Sequence, residues 1–320
     1  MQITSRTDER PRADQSPPTS EQRASAGSAL KDRPGKARRK SSHRLTSERH
    51  FIVIGSMKSG TTTLYQHLVH HPDIGMSRMK ETDYFIACKN FPLGFSWYRR
   101  QFPAQCRVSG EISPNYSKHD VFPGVPRRIA EVLPETRLVF VARDPVDRFV
   151  SHYRHSVLMG HCSVSPAMLL KSSAGAHMLE TSRYTAQLET YLKHFSREQL
   201  LILDFDQLRL TPQVTLDRLT DFLDLPPHPV GEAATHNDAA SIARMPRFVQ
   251  RLWRSRMMRR IDPLISRDMR DRARDLMSRG PARSMPDFPD ALRAEVAERL
   301  ADEAQAFRKL SGQDFQGWCI

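Results

Sequence analysis

The stretch Phe51-Ile-Val-Ile-Gly-Ser-Met-Lys-Ser-Gly-Thr-Thr-Thr-Leu64 decides the architecture. Four apolar residues, Phe51 to Ile54, read as a central strand, and Gly55 and Gly60 permit a tight return. Thr61 to Thr63 then open a helix predicted over 61–71, with Leu64, Tyr65, Leu68 and Val69 on one face and Pro72 as its stop. Backbone N–H groups at such a helix start lack intrahelical acceptors and carry about half a positive charge, so a phosphate or sulfate fits there. A Walker loop places lysine directly after its second glycine; here Thr61 holds that position and Lys58 lies three residues earlier. The loop is an anion cradle of another kind.

Downstream, helices are predicted over 125–132, 145–158, 183–195 and 212–223, with strands over 137–142 and 200–204 and a loop region with short elements over 73–117. Such alternation predicts an α/β fold, an open parallel sheet flanked by helices. Pro226-Pro227-His228-Pro229 breaks the pattern, and a helical C-terminal part follows.

A second constellation is Arg137-Leu-Val-Phe-Val-Ala-Arg-Asp-Pro-Val-Asp-Arg-Phe-Val-Ser-His-Tyr153. Leu138 to Ala142 form a buried strand, Asp144 suits an N-cap, and Pro145 sits where its missing N–H does no harm. Val146, Phe149, Val150, Tyr153 and Val157 line one helical face. Arg143 ends the strand and Ser151 lies two turns into the helix. Ligands of open α/β sheets bind beyond the carboxyl ends of the strands, and a guanidinium with a nearby hydroxyl suits a phosphate monoester.

Taken together, Lys58-Ser-Gly-Thr-Thr-x-Leu and Arg143-Asp-Pro-x-x-Arg-x-x-Ser-x-Tyr resemble the two nucleotide-binding motifs of sulfotransferases that use 3′-phosphoadenosine 5′-phosphosulfate (PAPS). Similarity extends through Lys80-Glu-Thr-Asp-Tyr-Phe85, Gly110-Glu-Ile-Ser-Pro-Asn-Tyr116, Tyr184-Thr-Ala-Gln-Leu188, Phe222-Leu-Asp-Leu-Pro226 and Leu310-Ser-Gly-Gln-Asp-Phe-Gln-Gly-Trp318, and is of the heparan-sulfate and bacterial carbohydrate type. The resemblance implies a P-loop-like fold over 49–320. It assigns the 5′-phosphosulfate to Lys58, Ser59, Gly60, Thr61, Thr62 and Thr63, and the 3′-phosphate to Arg143 and Ser151. Glu81 becomes the general base, with Lys58 as the second catalytic residue and no metal required. The acceptor is a hydroxyl on a saccharide, with a lipid or small metabolite behind it. Three positions depart from the pattern or stay open. Asp83 stands where many relatives have His, and Ile112 stands where several have Lys, a cation that Lys58 with an arginine, Lys118 or Lys80 replaces. Glu111 reads as a second candidate base or as a buried structural carboxylate. His236-Asn-Asp238 falls where relatives place a loop over the nucleotide.

Composition bounds the partners. The 320 residues hold 39% apolar content, enough for a full core, and a net charge of +13. Residues 1–48 read as a basic, disordered tail rich in Ser, Pro and Arg, in which Lys36-Ala-Arg-Arg-Lys40 is a solvated cluster or a contact for nucleic acid or anionic lipid. The block Arg244–Arg283 carries thirteen Arg and four Asp, and reads either as an amphipathic helix with a solvated face or as a wall attracting an anionic substrate. Neither a transmembrane segment nor a signal peptide is read, and four scattered cysteines indicate reduced thiols, so a cytoplasmic protein is expected. Two rivals remain: a nucleotide or metabolite kinase, with Leu200-Leu-Ile-Leu-Asp204 as a Walker B strand, and a basic nucleic-acid or membrane-surface binder. The displaced lysine argues against the first, and the lack of any nucleic-acid-binding motif against the second.

Overall fold

A computed structural model of the chain describes residues 49–230 and 287–320. The basic tail over 1–48, His236-Asn-Asp238 and the block Arg244–Arg283 lie outside the described residues. Five strands form one sheet: β1 (Arg49–Gly55), β2 (Ile74–Met76), β3 (Val108–Ile112), β4 (Arg137–Ala142) and β5 (Leu200–Asp204). Their order is β2-β3-β1-β4-β5, and every neighbouring pair is parallel. The α/β class and the open parallel sheet predicted from the sequence are therefore observed.

Helices cover both faces, which is why β1 and β4 are continuous apolar runs rather than alternating ones. Ile52, Ile54, Leu138, Phe140 and Ile202 pack against α3 (Val125–Val132), α7 (Tyr184–Leu192) and α10 (Asp290–Ser311). Phe51, Val53, Val139, Val141 and Leu203 pack against α1 (Thr61–Leu68), α8 (Phe205–Leu210) and α9 (Pro212–Phe222). A third cluster joins Val146, Phe149, Val150 and Tyr153 of α4 (Pro145–Leu158) to Met178 and Leu179 of α6 (Ser173–Glu180) and to Val296 and Leu300 of α10. The short helices α2 (Phe95–Arg99) and α5 (Pro166–Leu169) complete the set.

Two expectations need correction. The segment over 73–117, read as a loop region with short elements, holds two strands of the sheet, β2 and β3, that the sequence pattern does not identify. Val108-Ser-Gly-Glu-Ile112 has too few large apolar residues to announce a strand, yet all five residues are buried. Phe51 of β1 supplies the missing volume, because Gly110 pairs with it and leaves room for its ring. The first helix ends at Leu68 rather than at residue 71: His70 and His71 donate to His67 and Leu68 in tighter turns, as suits a chain approaching Pro72.

A Cβ on Gly110 would lie 2.2 Å from the Phe51 ring, which is fully buried. Gly110→Ala is expected to destabilise the fold by about 1–3 kcal/mol through overpacking. Urea denaturation of the two proteins checks this, and an unchanged midpoint would contradict the packing of β1 on β3.

Candidate functional site

Because the strands are parallel, all five carboxyl ends meet at one edge, and β1 sits where the chain order reverses between β3 and β4. That is where open α/β sheets leave a crevice. Lys58 follows β1, Glu81 follows β2, Lys118 follows β3, Arg143 follows β4 and Phe205 follows β5.

The loop after β1 is pinned to the sheet. The Ser56 backbone N–H and hydroxyl both donate to the Val141 carbonyl, each at 3.0 Å, and the Ser56 and Ser59 hydroxyls are 2.5 Å apart. Ser59 thus turns its side chain inward, is fully buried and leaves its backbone N–H for a ligand. Lys58 (φ 74°) and Gly60 (φ 75°) adopt left-handed conformations that reverse the chain. Gly60 is required for a further reason, since a Cβ there would lie 2.7 Å from the Phe205 ring. As the N-cap of α1 it offers no side-chain acceptor, so the first-turn N–H groups of Thr61 to Thr63 face outward unsatisfied by a cap.

Arg143 emerges from β4 beside that loop. Its guanidinium donates to the Lys58 carbonyl at 3.3 Å, lies 3.7 Å from Asp147 and stacks over Phe205 at 4.9 Å. Tyr184 donates its hydroxyl to the Arg143 carbonyl at 2.9 Å, and burial pushes that phenol up to about 12. Asp144 caps α4 as expected, accepting from Asp147 N at 2.8 Å. Ser151 lies half-buried in the second turn of α4 and makes no side-chain hydrogen bond among the described residues. Arg148, in the same motif, does something different: fully buried, it donates to Ser182 Oγ and to the Met178 carbonyl, tying α4 to α6. Burial pushes it down to about 10.

Glu81 reaches the same edge from β2. Lys80 Nζ donates to Thr62 Oγ1 at 2.9 Å and to Glu81 Oε1 at 3.2 Å, so one side chain connects the first turn of α1 with the carboxylate. The following residues are held from below. Thr82 donates to Glu111, while its hydroxyl accepts from Tyr84 N at 3.2 Å, and the Tyr116 hydroxyl accepts from Phe85 N at 3.2 Å. Glu111 is fully buried, and desolvation pushes its carboxyl up to about 8. It is a structural post beneath the Glu81 segment, the second of the two readings its sequence position allowed. Asp83, beside it, accepts from Lys89 at 2.5 Å and from Asn115 at 3.1 and 3.2 Å, and Asn115 accepts from Lys118 at 2.9 Å. Among the described residues no group of three His, Cys, Asp or Glu side chains is placed to hold a metal ion.

Comparison with known proteins agrees with this layout. Residues 48–271 match the family model described as Sulfotransferase domain. The chain belongs to the sulfotransferase domain family. Among curated relatives it is similar to bifunctional heparan sulfate N-deacetylase/N-sulfotransferase 3 of Homo sapiens, at 32% identity over 203 residues, which covers 56% of this chain and 22% of that protein. It is likewise similar to heparan sulfate glucosamine 3-O-sulfotransferase 5 of Mus musculus, at 30% identity over 190 residues, covering 55% of this chain and 53% of the other. The chain thus spans from about a fifth to about half of the curated relatives it matches. A solved sulfotransferase from Alicyclobacillus acidocaldarius shares the fold, with a TM-score of 0.60 at 20% identity, over 86% of this chain and all of that one.

Within this sulfotransferase domain, the structure brings the Lys58 loop, Arg143 and Glu81 to one edge, as expected. Sequence reasoning missed the Phe205 ring that seats Gly60 and Arg143. Its position directly after β5 was the available signal.

Glu111 generates a pH prediction. Its folded-state proton affinity is raised, so the neutral form stabilises the fold at acid pH, and that stabilisation is lost as pH rises from about 4.5 towards about 8. Glu111→Gln, neutral throughout, should flatten this part of the stability profile by an amount of the order of a few kcal/mol. Thermal unfolding from pH 5 to 9 checks it: the gap between variant and wild type should move in favour of the variant as pH rises, and a constant gap would contradict the assignment.

Proposed function

We propose that this protein transfers the sulfuryl group of PAPS to a hydroxyl of a saccharide acceptor. The observation that carries the reading is the bond from Arg143 to the Lys58 carbonyl, which joins two anion-binding segments at one edge of the sheet. A nucleotide bearing phosphate at both its 3′ and 5′ positions requires two such segments side by side. In this reading Lys58 and the backbone N–H groups of Ser59 to Thr63 hold the 5′-phosphosulfate, and Arg143 and Ser151 hold the 3′-phosphate. Glu81 removes the acceptor proton as the new O–S bond forms and the bond from sulfur to the 5′-phosphate oxygen breaks. Lys58 and the α1 N-terminus neutralise the charge left on that phosphate.

Saccharide acceptors rest on the heparan sulfate relatives, whose names cover both amine and hydroxyl sulfation. A lipid or small-metabolite hydroxyl is the second reading. No helix among the described residues is long and apolar enough to cross a membrane. Four free cysteines fit a reducing compartment, so we keep a cytoplasmic location as part of the reading. The kinase alternative loses support because Asp204 spends its carboxylate on capping α8, accepting from Asp206 N at 2.9 Å.

Lys58→Ala is expected to lower kcat/KM by about 10²–10³-fold. Glu81→Gln is expected to lower kcat by about 10²–10⁴-fold with unchanged affinity for 3′-phosphoadenosine 5′-phosphate (PAP). Transfer of radiolabelled sulfuryl to a panel of saccharides measures both, and activity retained in both variants would refute the site. A rise in melting temperature with PAP in the absence of magnesium separates this reading from a kinase, which would respond to Mg-ATP alone.

A further inference from the structure

Ile112 occupies the position where several glycan sulfotransferases carry a lysine, and here it is fully buried among Phe51, Val53 and Leu64. The end of β3 therefore supplies no cation to the transferred group. Two nearby lysines remain, and their surroundings differ. Lys118 is nine-tenths buried and donates to Asn115, within the network that holds Asp83 and Lys89. Its acceptor is a neutral amide oxygen, Asp83 is already paired with Lys89, and burial pushes the ammonium down to about 8, so it is the more enclosed of the two cations.

Lys80 stands at the mouth. Its backbone carbonyl accepts from Ile112 N at 3.4 Å, which fastens it to the end of β3, and its side chain is about a quarter exposed. The ammonium lies 2.9 Å from Thr62 Oγ1, in the first turn of α1, whose N–H groups have no side-chain cap, and 3.2 Å from Glu81 Oε1. An ammonium has three protons, and these two bonds leave one for a ligand. The pair with Glu81 is partly solvated and joins adjacent residues, so it is weak and easily exchanged. Three negatively polarised oxygens arriving at the α1 N-terminus would compete well for the same ammonium.

We infer that Lys80 is the cation of the transferred sulfuryl group and that it changes partner: it holds Glu81 in the empty site and moves to the sulfuryl oxygens when the donor binds. This deepens the function proposed above and rests on it. The exchange removes the ammonium from Glu81 Oε1 as the sulfuryl group arrives and leaves both carboxylate oxygens open to the acceptor proton. Lys80 thereby does two things that a lysine at position 112 would not. It reaches the sulfuryl group from the Thr62 side, and it leaves Glu81 as that group arrives. No bond to Lys80 is made or broken during transfer, and its proton stays on the nitrogen.

The test uses the full chain, titrated calorimetrically with PAPS and, separately, with PAP, which lacks the sulfuryl group. Lys80→Met should weaken PAPS binding by about tenfold or more while PAP affinity stays within about twofold, and kcat should fall by about 10²-fold. Lys80→Arg, which keeps the charge, should recover most of the preference for PAPS. A merely structural lysine would change both affinities alike. Equal losses for the two nucleotides, or no loss for either, would overturn the partner exchange while leaving the donor site standing. A wild-type protein that binds neither nucleotide would overturn the donor reading itself, and this inference with it.

Discussion

The double hydrogen bond from Ser56 to the Val141 carbonyl is the constraint on which the site depends. It occupies both lone pairs of one carbonyl near the end of β4 and draws the loop after β1 across the edge of the sheet. With Ser56 fixed there, the chain has only Met57 to Gly60 in which to reverse and enter α1, and the two left-handed residues Lys58 and Gly60 accomplish that. The Lys58 carbonyl is then presented to Arg143, the next polar group along from Val141 on the same strand. The Lys58 loop and Arg143 are therefore neighbours because β1 and β4 are neighbours. Their spacing is a property of strand pairing, which side-chain choices alone would not alter.

The base side of the site is organised by a different principle. Glu81 is exposed and belongs to a segment without regular structure, so something must hold the backbone beneath it. Thr82, Tyr116 and Glu111 do this from a fully buried position, where hydrogen bonds are strong, through Glu111 Oε2, while Glu111 Oε1 has no hydrogen-bond partner among the described residues. Desolvation raises the proton affinity of a carboxyl placed there, which favours a neutral post over a buried charge. Above it the exposed Glu81 carboxylate pairs with Lys80 and carries none of the structural burden.

Much of this was legible in the sequence, and what was missed has a physical reason. Strands β4 and β5 and helices α3 and α4 fall on the expected residues, because long apolar runs and the Asp144-Pro145 start signal are local properties. β3 was not legible, since Val108-Ser-Gly-Glu-Ile112 reads as strand only once the ring of Phe51, fifty-odd positions away, fills the space over Gly110. Helix α6 was missed although alanine favours helix: Gly175 in its first turn weakens the signal and is there because the Leu169 backbone lies against it, a contact the sequence does not reveal. At the site, Lys58, Arg143 and Glu81 were found by motif. Lys80 was visible only as their neighbour, because its bond to Thr62 joins segments eighteen residues apart.

Arg143 and Arg148 show why a motif and a site are different things. They lie in one run of sequence, each next to a helix start, and composition gives no reason to separate them. The strand end turns Arg143 towards the loop, where Phe205 stacks on its face and Asp147 and the Lys58 carbonyl take part of its donor set. One turn of α4 carries Arg148 to the opposite side, where Ser182, Met178 and His152 surround it. The first guanidinium lies at the carboxyl edge of the sheet, about a quarter exposed. The second is desolvated, loses part of its proton affinity, and compensates by closing the carbonyl and hydroxyl ends of α6. The same side chain therefore meets two demands, recognition and closure of the fold, and the helical rotation between positions 143 and 148 decides which.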